Sequence, residues 1–290
     1  MSLIKPFRGL RPVPGRSDDV VAPPYDVVDR AEAKALVKHR PWSFLHISRP
    51  EIDLPDATDP YDPAVYAKGR ENLDRMVAEG ILVREDRPCY YAYRLTMGEH
   101  IQTGIVATAS VEAYDRNRIK KHEFTRPVKE DDRVRQIDTL NAQTGPVFLV
   151  YAAEPAVDDI LREVSSAPAD VDVTAERDRV RHEIWKIDRV ETVEALTAAF
   201  DAMPAIYVAD GHHRSAAGSR VGNARREANP AHTGEESYNY FLTVIFPHDQ
   251  MQILDYNRVV RDLNGLSKDG FLAAVAAAFD LELSDRPVKP

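Results

Sequence analysis

The sequence predicts an α+β fold built on a mixed β-sheet with flanking helices. Three observations predict it. Hairpin patterns stand near residues 90–114 and 238–259, strand and helix patterns alternate between residues 147 and 213, and the 20 prolines are scattered at apparent element boundaries. With 290 residues, 43% of them apolar, the chain can bury a substantial core in one large domain or two modest ones.

The first stretch carries a proline-punctuated loop, Val21-Ala22-Pro23-Pro24-Tyr25-Asp26, then a helix near 29–39 and a strand expected at Ser43-Phe44-Leu45-His46-Ile47. A polar loop rich in Asp and Pro follows. The clearest helix is 62–79, where Val65, Leu73, Met76 and Val77 recur at helical spacing and Gly80 stands at the expected C-terminal cap. Tyr91 and Tyr93 alternate in the first strand of a hairpin whose turn is Met97-Gly98-Glu99-His100 and whose return strand is Gly104–Tyr114. After a loop at 115–126 a helix runs near 127–143, with Val134, Ile137 and Leu140 inward and Pro127 close to its first turn, where the missing N–H costs nothing. The remainder alternates: strand 147–151, helix 156–165, strand 183–187, helix 190–201, strand 205–209 and a helix from about His213. Strands at 238–246 and 251–259 close a second hairpin around Pro247-His248-Asp249.

Charge and cysteine usage narrow the classes of function. Lys and Arg number 38 against 47 Asp and Glu, a formal net of −9, which repels a polyanion along most of the surface and disfavours general nucleic-acid binding. A local basic pocket for a small anion stays open. The single cysteine, Cys89, has no internal disulfide partner, and no Cys or His spacing resembles a zinc site. The start has no apolar run long enough for a signal peptide, and no stretch approaches the ~20 apolar residues of a membrane span. These features read as a cytoplasmic protein in a reducing compartment.

Two constellations carry candidate chemistry. Ala205–Ala209 reads as a buried strand, Asp210-Gly211 as a sharp turn and Ser215-Ala216-Ala217 as the start of a helix, which places His212, His213 and Arg214 at the helix N-terminus. Free N–H groups and the positive dipole end favour an anion there, glycine permits close approach, and Arg214 can clamp phosphate oxygens in a fork. The competing reading is structural: Asp210 caps the helix and the histidines satisfy backbone groups. Adjacent histidines diverge too far to share one metal ion easily. The second constellation is Lys120-Lys121-His122-Glu123-Phe124-Thr125-Arg126-Pro127, leading into Lys129-Glu130-Asp131-Asp132-Arg133. Glu123 beside an imidazole and several cations suits a general base near a phosphate, while a solvated charge run explains the same composition. No Walker loop, Gly-x-Gly-x-x-Gly or Gly-x-Ser-x-Gly occurs.

The motifs APPYDVV at 22–28, FLHISRPE at 44–51, IKKHEFTRPVKEDDR at 119–133, TGPVFL at 144–149, RHEIW at 181–185 and ADGHHR at 209–214 occur in that order. Together they resemble the bacterial domain-of-unknown-function family ten-fifteen over nearly the whole chain. That family is similar to the archaeal free serine kinase and, more distantly, to the nucleotide-binding domain of the partitioning protein ParB and to sulfiredoxin. The resemblance implies a ParB/sulfiredoxin-like core over residues 86–262, preceded by an N-terminal α/β segment at 1–85. Residues 263–290 are then expected to begin a C-terminal region that continues further in the family. It also implies that Asp210, Gly211, His212, His213 and Arg214 grip nucleotide phosphates, with His122 and Glu123 as the catalytic pair and Glu123 as base. The reaction implied is phosphoryl transfer from ADP or ATP, with Mg²⁺, to the hydroxyl of serine or a similar small metabolite. Arg126 and Arg133 are expected as supporting cations and Thr125 and Asp26 as substrate contacts. Sulfiredoxin's reactive cysteine falls at His212 here, which speaks strongly against that chemistry. A nucleotide switch or metabolite sensor of ParB-like type needs the phosphate turn without the base, so Glu123 is what separates it from an enzyme.

Overall fold

The computed structural model describes residues 2–254 and 260–282. Short pieces open the chain: β1 (Ile4–Lys5), β2 (Leu10–Pro12) and a single helical turn, α1 (Ser17–Val20). The helix α2 (Arg30–Val37) starts at a reciprocal capping box, in which the Glu32 N–H donates to Asp29 at 2.8 Å and the Asp29 N–H donates to Glu32 at 2.9 Å. Next come a second single turn, α3 (Leu45–Ser48), and the long α4 (Pro63–Ala78), begun by the Asp62 cap and Pro63 and ended where Gly80 takes φ +66°. Val65, Leu73 and Met76 form its buried stripe as expected, but Val77 is 45% exposed and its place on that face is taken by Gly69 and Asn72.

Strands β3 (Leu82–Arg84), β4 (Tyr90–Met97) and β5 (His100–Ser110) follow. The return strand begins four residues before its expected start and stops at Ser110, whose hydroxyl accepts the Ala113 N–H and starts the short helix α5 (Val111–Asp115). Beyond it lie β6 (Ile119–Lys120), α6 (Pro127–Leu140), β7 (Val147–Tyr151), α7 (Pro155–Val164), β8 (Val171–Thr174), β9 (Arg181–Ile187) and α8 (Val190–Ala202). Asn141, in the left-handed region at φ +47°, ends α6 three residues before its expected end. β10 (Ile206–Asp210), α9 (His212–Ala228) and β11 (Tyr240–Pro247) complete this part. The expected second hairpin is corrected. A 3₁₀ turn at His248–Gln250 ends β11, residues 251–254 form no strand, and 255–259 lie outside the described residues.

The expected strand at 43–47 is also corrected: α3 stands there. Three consecutive side chains, Leu45, His46 and Ile47, are at most 9% exposed, a pattern no half-buried strand produces. Leu45 and Ile47 enter separate apolar clusters, and the His46 ring sits 2.9 Å from the Asp53 carboxylate. Five residues of apolar alternation are too few to separate the two periods.

Among the described residues, nine strands form one mixed sheet in the order β6-β10-β7-β11-β5-β4-β9-β8, with β1 pairing on the end of β5; β2 and β3 form a separate ribbon. The β6–β10 and β7–β11 pairs are parallel and the others antiparallel, so the α+β class with a large mixed sheet and flanking helices holds. The main core gathers Tyr90, Ile105, Leu149 and Tyr151 from the sheet against Leu161 of α7 and Phe200 of α8. Gly104 marks the tightest strand contact: a Cβ there would stand 2.3 Å from the Ile245 carbonyl oxygen of β11. Gly104→Ala is therefore expected to lower unfolding stability by about 1–3 kcal/mol, read from urea titrations, because backbone cannot step aside as a flexible side chain can.

The chain divides into two compact units, Met1–Gln250 and Met251–Pro290. Within the second, α10 (Lys268–Ala276) starts at Ser267, whose hydroxyl accepts the Gly270 N–H at 3.1 Å. No helix among the described residues is long and apolar enough to cross a membrane.

Candidate phosphate and catalytic site

Strand direction brings three loops to one end of the sheet. Because β6 and β10 run parallel, with Ile119 opposite Ile206, the loop after β6 and the turn after β10 emerge side by side. β7 is antiparallel to β10, so the loop that enters it, ending in Gly145-Pro146, arrives at the same end, with Phe148 opposite Asp210. Residues far apart in sequence thus meet through strand pairing.

The junction from β10 to α9 has the expected strand–turn–helix form. Gly211 is the N-cap with φ +96°, a conformation that glycine adopts freely, and the helix begins at His212, one residue early. Asp210 does not cap it. Its carboxylate instead pairs with the Arg214 guanidinium, which also donates to the Pro146 carbonyl. Among the described residues no side chain caps the helix start, which leaves its first N–H groups without a cap. Arg214 packs close to the glycines: a Cβ on Gly211 would lie 3.1 Å from its Cζ, and one on Gly145 would lie 3.4 Å from its Cδ.

The histidines fix the loop that carries Glu123. The His122 backbone N–H donates to His212 Nε2 at 3.4 Å, and the Arg126 N–H donates to His213 Nε2 at 3.0 Å. A ring nitrogen that accepts carries no proton, so His212, accepting at Nε2, is left with its hydrogen on Nδ1. His212 is 3% exposed, and its ring lies edge-on to His122 at 4.5 Å between centroids. Burial and then the neighbouring His122 push its pKa below the ordinary 6.5, against the opposing pull of Glu123 and Asp210. The Glu123 carboxylate stands 3.6 Å from His212 Nδ1 and is 61% exposed, and Phe124 beside it is 97% exposed. Pinned at 122 and 126, the loop presents Glu123 toward solvent next to the helix start.

That arrangement has a pH signature. A histidine whose folded pKa is depressed contributes stability that is fully present above pH 6.5 and is lost as pH falls through the lowered value, because the unfolded chain takes up the proton first. Between about pH 7 and pH 5 the urea midpoint is expected to fall less steeply in His212→Gln than in the parent protein. Identical slopes in the two proteins would remove His212 from this role.

The other expected site residues are placed unequally. Thr125 donates to Glu130 at 2.6 Å, and Glu130, although burial raises its pKa, is held below the usual carboxylate range by Thr125 and Arg220. Arg126 reaches the site through its backbone, with its side chain exposed. Arg133 pairs with Asp132 at 2.5 Å and lies 4.2 Å over the Tyr25 ring. The charge run is a staple between α6 and α9, since Arg220 contacts both Glu130 and Asp131. Burial pushes the Tyr25 phenol up while Arg133 and Arg214 pull it down, so Tyr25 shares the field of the phosphate turn. Asp26 comes to this end only as Tyr25's neighbour, and its exposed carboxylate makes no ion pair among the described residues. Tyr25 and Pro146 were not singled out from sequence as site residues, though both sit in the quoted PPYD and TGPVFL stretches.

A family model described as "Protein of unknown function (DUF1015)" matches residues 4–290. No curated protein and no solved structure matches the chain.

Proposed function

The chain belongs to this family of proteins of unknown function, and we propose that it is a nucleotide-dependent phosphotransferase with a ParB/sulfiredoxin-like core, acting on a small hydroxylated metabolite. The reading follows the resemblance to the free serine kinase, with serine or a close analogue as acceptor and ADP or ATP as donor. One observation carries it: Glu123 stands 3.6 Å from His212 of the phosphate turn, although the two lie in separate loops. A binding switch has no use for a carboxylate at that place.

In the proposed reaction the donor's terminal phosphate sits at the start of α9, held by the uncapped N–H groups and by Arg214. The acceptor hydroxyl oxygen forms a bond to phosphorus, the bond to the bridging oxygen of the nucleotide breaks, and Glu123 takes the hydroxyl proton. His212, with its Nδ1–H toward Glu123, orients the carboxylate. Mg²⁺ would be carried mainly on the phosphates, and the exposed Asp210 carboxylate, paired with Arg214 at the turn, is the side chain that would meet it. When bound with the nucleotide it would offset phosphate charge, with Asp210 as its first ligand from the chain.

The test is a phosphoryl-transfer screen of hydroxylated metabolites against ADP and ATP with Mg²⁺. Transfer to serine or an analogue is the expected result. Nucleotide binding without transfer to any acceptor would put the switch or sensor reading first.

A further inference from the structure

We propose that a second cleft, separate from the phosphate turn, binds a small organic anion with an apolar body. The cleft has a volume of about 660 Å³ and lies between one face of the sheet, the segment Lys5–Arg11 and the loop Asn141–Thr144. That volume falls in the range of small-molecule sites. Its floor is apolar where a second layer would otherwise cover the sheet: Val106, Leu242 and Ile184 are only partly buried there, whereas Ile105, Ala107 and Ile245, alternating with them, are 0% exposed. Leu10, Leu73 and Val221 add apolar wall.

The charge around this floor runs opposite to that of the whole chain. Against a net of −9, the lining holds Lys5, Arg8, Arg11, Arg84 and Arg225, with Glu235 as its one carboxylate. Three of these cations are compensated: Lys5 by Glu235, Arg11 by Glu85 and Arg225 by Asp138. Arg8 and Arg84 are not. Arg8 donates through Nε to the Glu85 carbonyl at 2.7 Å, Arg84 makes only a 3.5 Å contact with the Arg8 carbonyl, and neither meets a carboxylate among the described residues. Two guanidiniums at the rim of an apolar cleft recognise a carboxylate, sulfonate or phosphate attached to an apolar body.

The wall also carries Tyr91, 3% exposed, whose buried hydroxyl meets no hydrogen-bond partner among the described residues. By contrast the Gln143 amide is engaged at both ends, donating to the Tyr240 carbonyl at 3.0 Å and accepting the Leu242 N–H at 2.8 Å. The loop that continues from Thr144 to Pro146 and helix α9, whose Gly218, Val221 and Arg225 line the cleft, lead from it to the phosphate turn, and none of Asp210–Arg214 lines the cleft.

The experiment titrates the intact protein with an anilinonaphthalene sulfonate dye, an anion with an aromatic body, and then displaces the dye with decanoate or decanol. Saturable one-site binding is expected, with decanoate the better competitor. The double variant Arg8→Gln, Arg84→Gln should weaken dye binding by about five- to tenfold, the sum of two exposed charge pairs. Val106→Trp, which fills the floor, should abolish binding, and the rim variant serves if that protein does not fold. Arg214→Ala should leave the affinity unchanged. Non-saturable binding, equal affinity in the rim variant, equal displacement by decanol, or competition by ADP would each overturn the proposal.

Discussion

Replacing Glu123 by glutamine is expected to lower turnover by roughly 10²–10⁴-fold, the usual contribution of a positioned acid or base, while nucleotide affinity stays unchanged. Glutamine keeps the size and planarity of the side chain but has no basic oxygen. The neighbouring ring tells which way the proton moves. His212 accepts the His122 N–H at Nε2 and therefore presents Nδ1–H toward the carboxylate 3.6 Å away, so in the proposed reaction it would steady Glu123 and would not compete for the acceptor's proton. An exposed carboxylate is also reachable by a substrate arriving from solvent, as a base acting on a free metabolite must be. The measurement is steady-state transfer to the acceptor found in the screen, beside calorimetric nucleotide binding. Full turnover in a folded Gln variant sinks the catalytic role and leaves the switch or sensor as the better account.

The sequence made the strand–turn–helix at Asp210–Arg214 legible because each step there is local: an apolar run, a glycine with φ +96° and an alanine-rich start. It was equally informative about α4 and β7, whose patterns are long or bounded by Gly and Pro. What it could not supply was the reason that residues 122 and 212 meet. That depends on β6, two residues long, pairing parallel to β10, and two residues carry no periodicity. The histidines show the same limit. Sequence left open whether they hold phosphate or satisfy backbone groups, and the geometry gives them backbone N–H donors from the loop that carries Glu123. Their contacts are therefore positional, and in the proposed reaction the anion is left to Arg214 and the helix start. The cleft on the sheet was invisible for a related reason: its lining comes from many separate segments, each unremarkable alone.

Arg214→Ala is expected to weaken nucleotide binding by about 1.5–3 kcal/mol, the range for hydrogen bonds to charged groups, or roughly 10- to 150-fold in Kd. The guanidinium is held by two internal contacts, Nη2 donating to Asp210 and Nη1 to the Pro146 carbonyl. Of the roughly five N–H donors a guanidinium carries, most of the remainder are then free for phosphate oxygens, already oriented before the ligand arrives. Lysine at 214 should recover only part of the loss, because a point charge cannot span two oxygens while also holding Pro146. The side chain is 21% exposed and its partner Asp210 is 69% exposed, so the ion pair itself contributes little to folding and the variant should remain folded. Calorimetry with ADP and with inorganic pyrophosphate separates the contributions: both should weaken alike, since Arg214 acts on phosphate and not on the base. Unchanged affinity for both ligands in a folded variant would remove Arg214 from the site, and an effect on ADP alone would move the phosphates elsewhere.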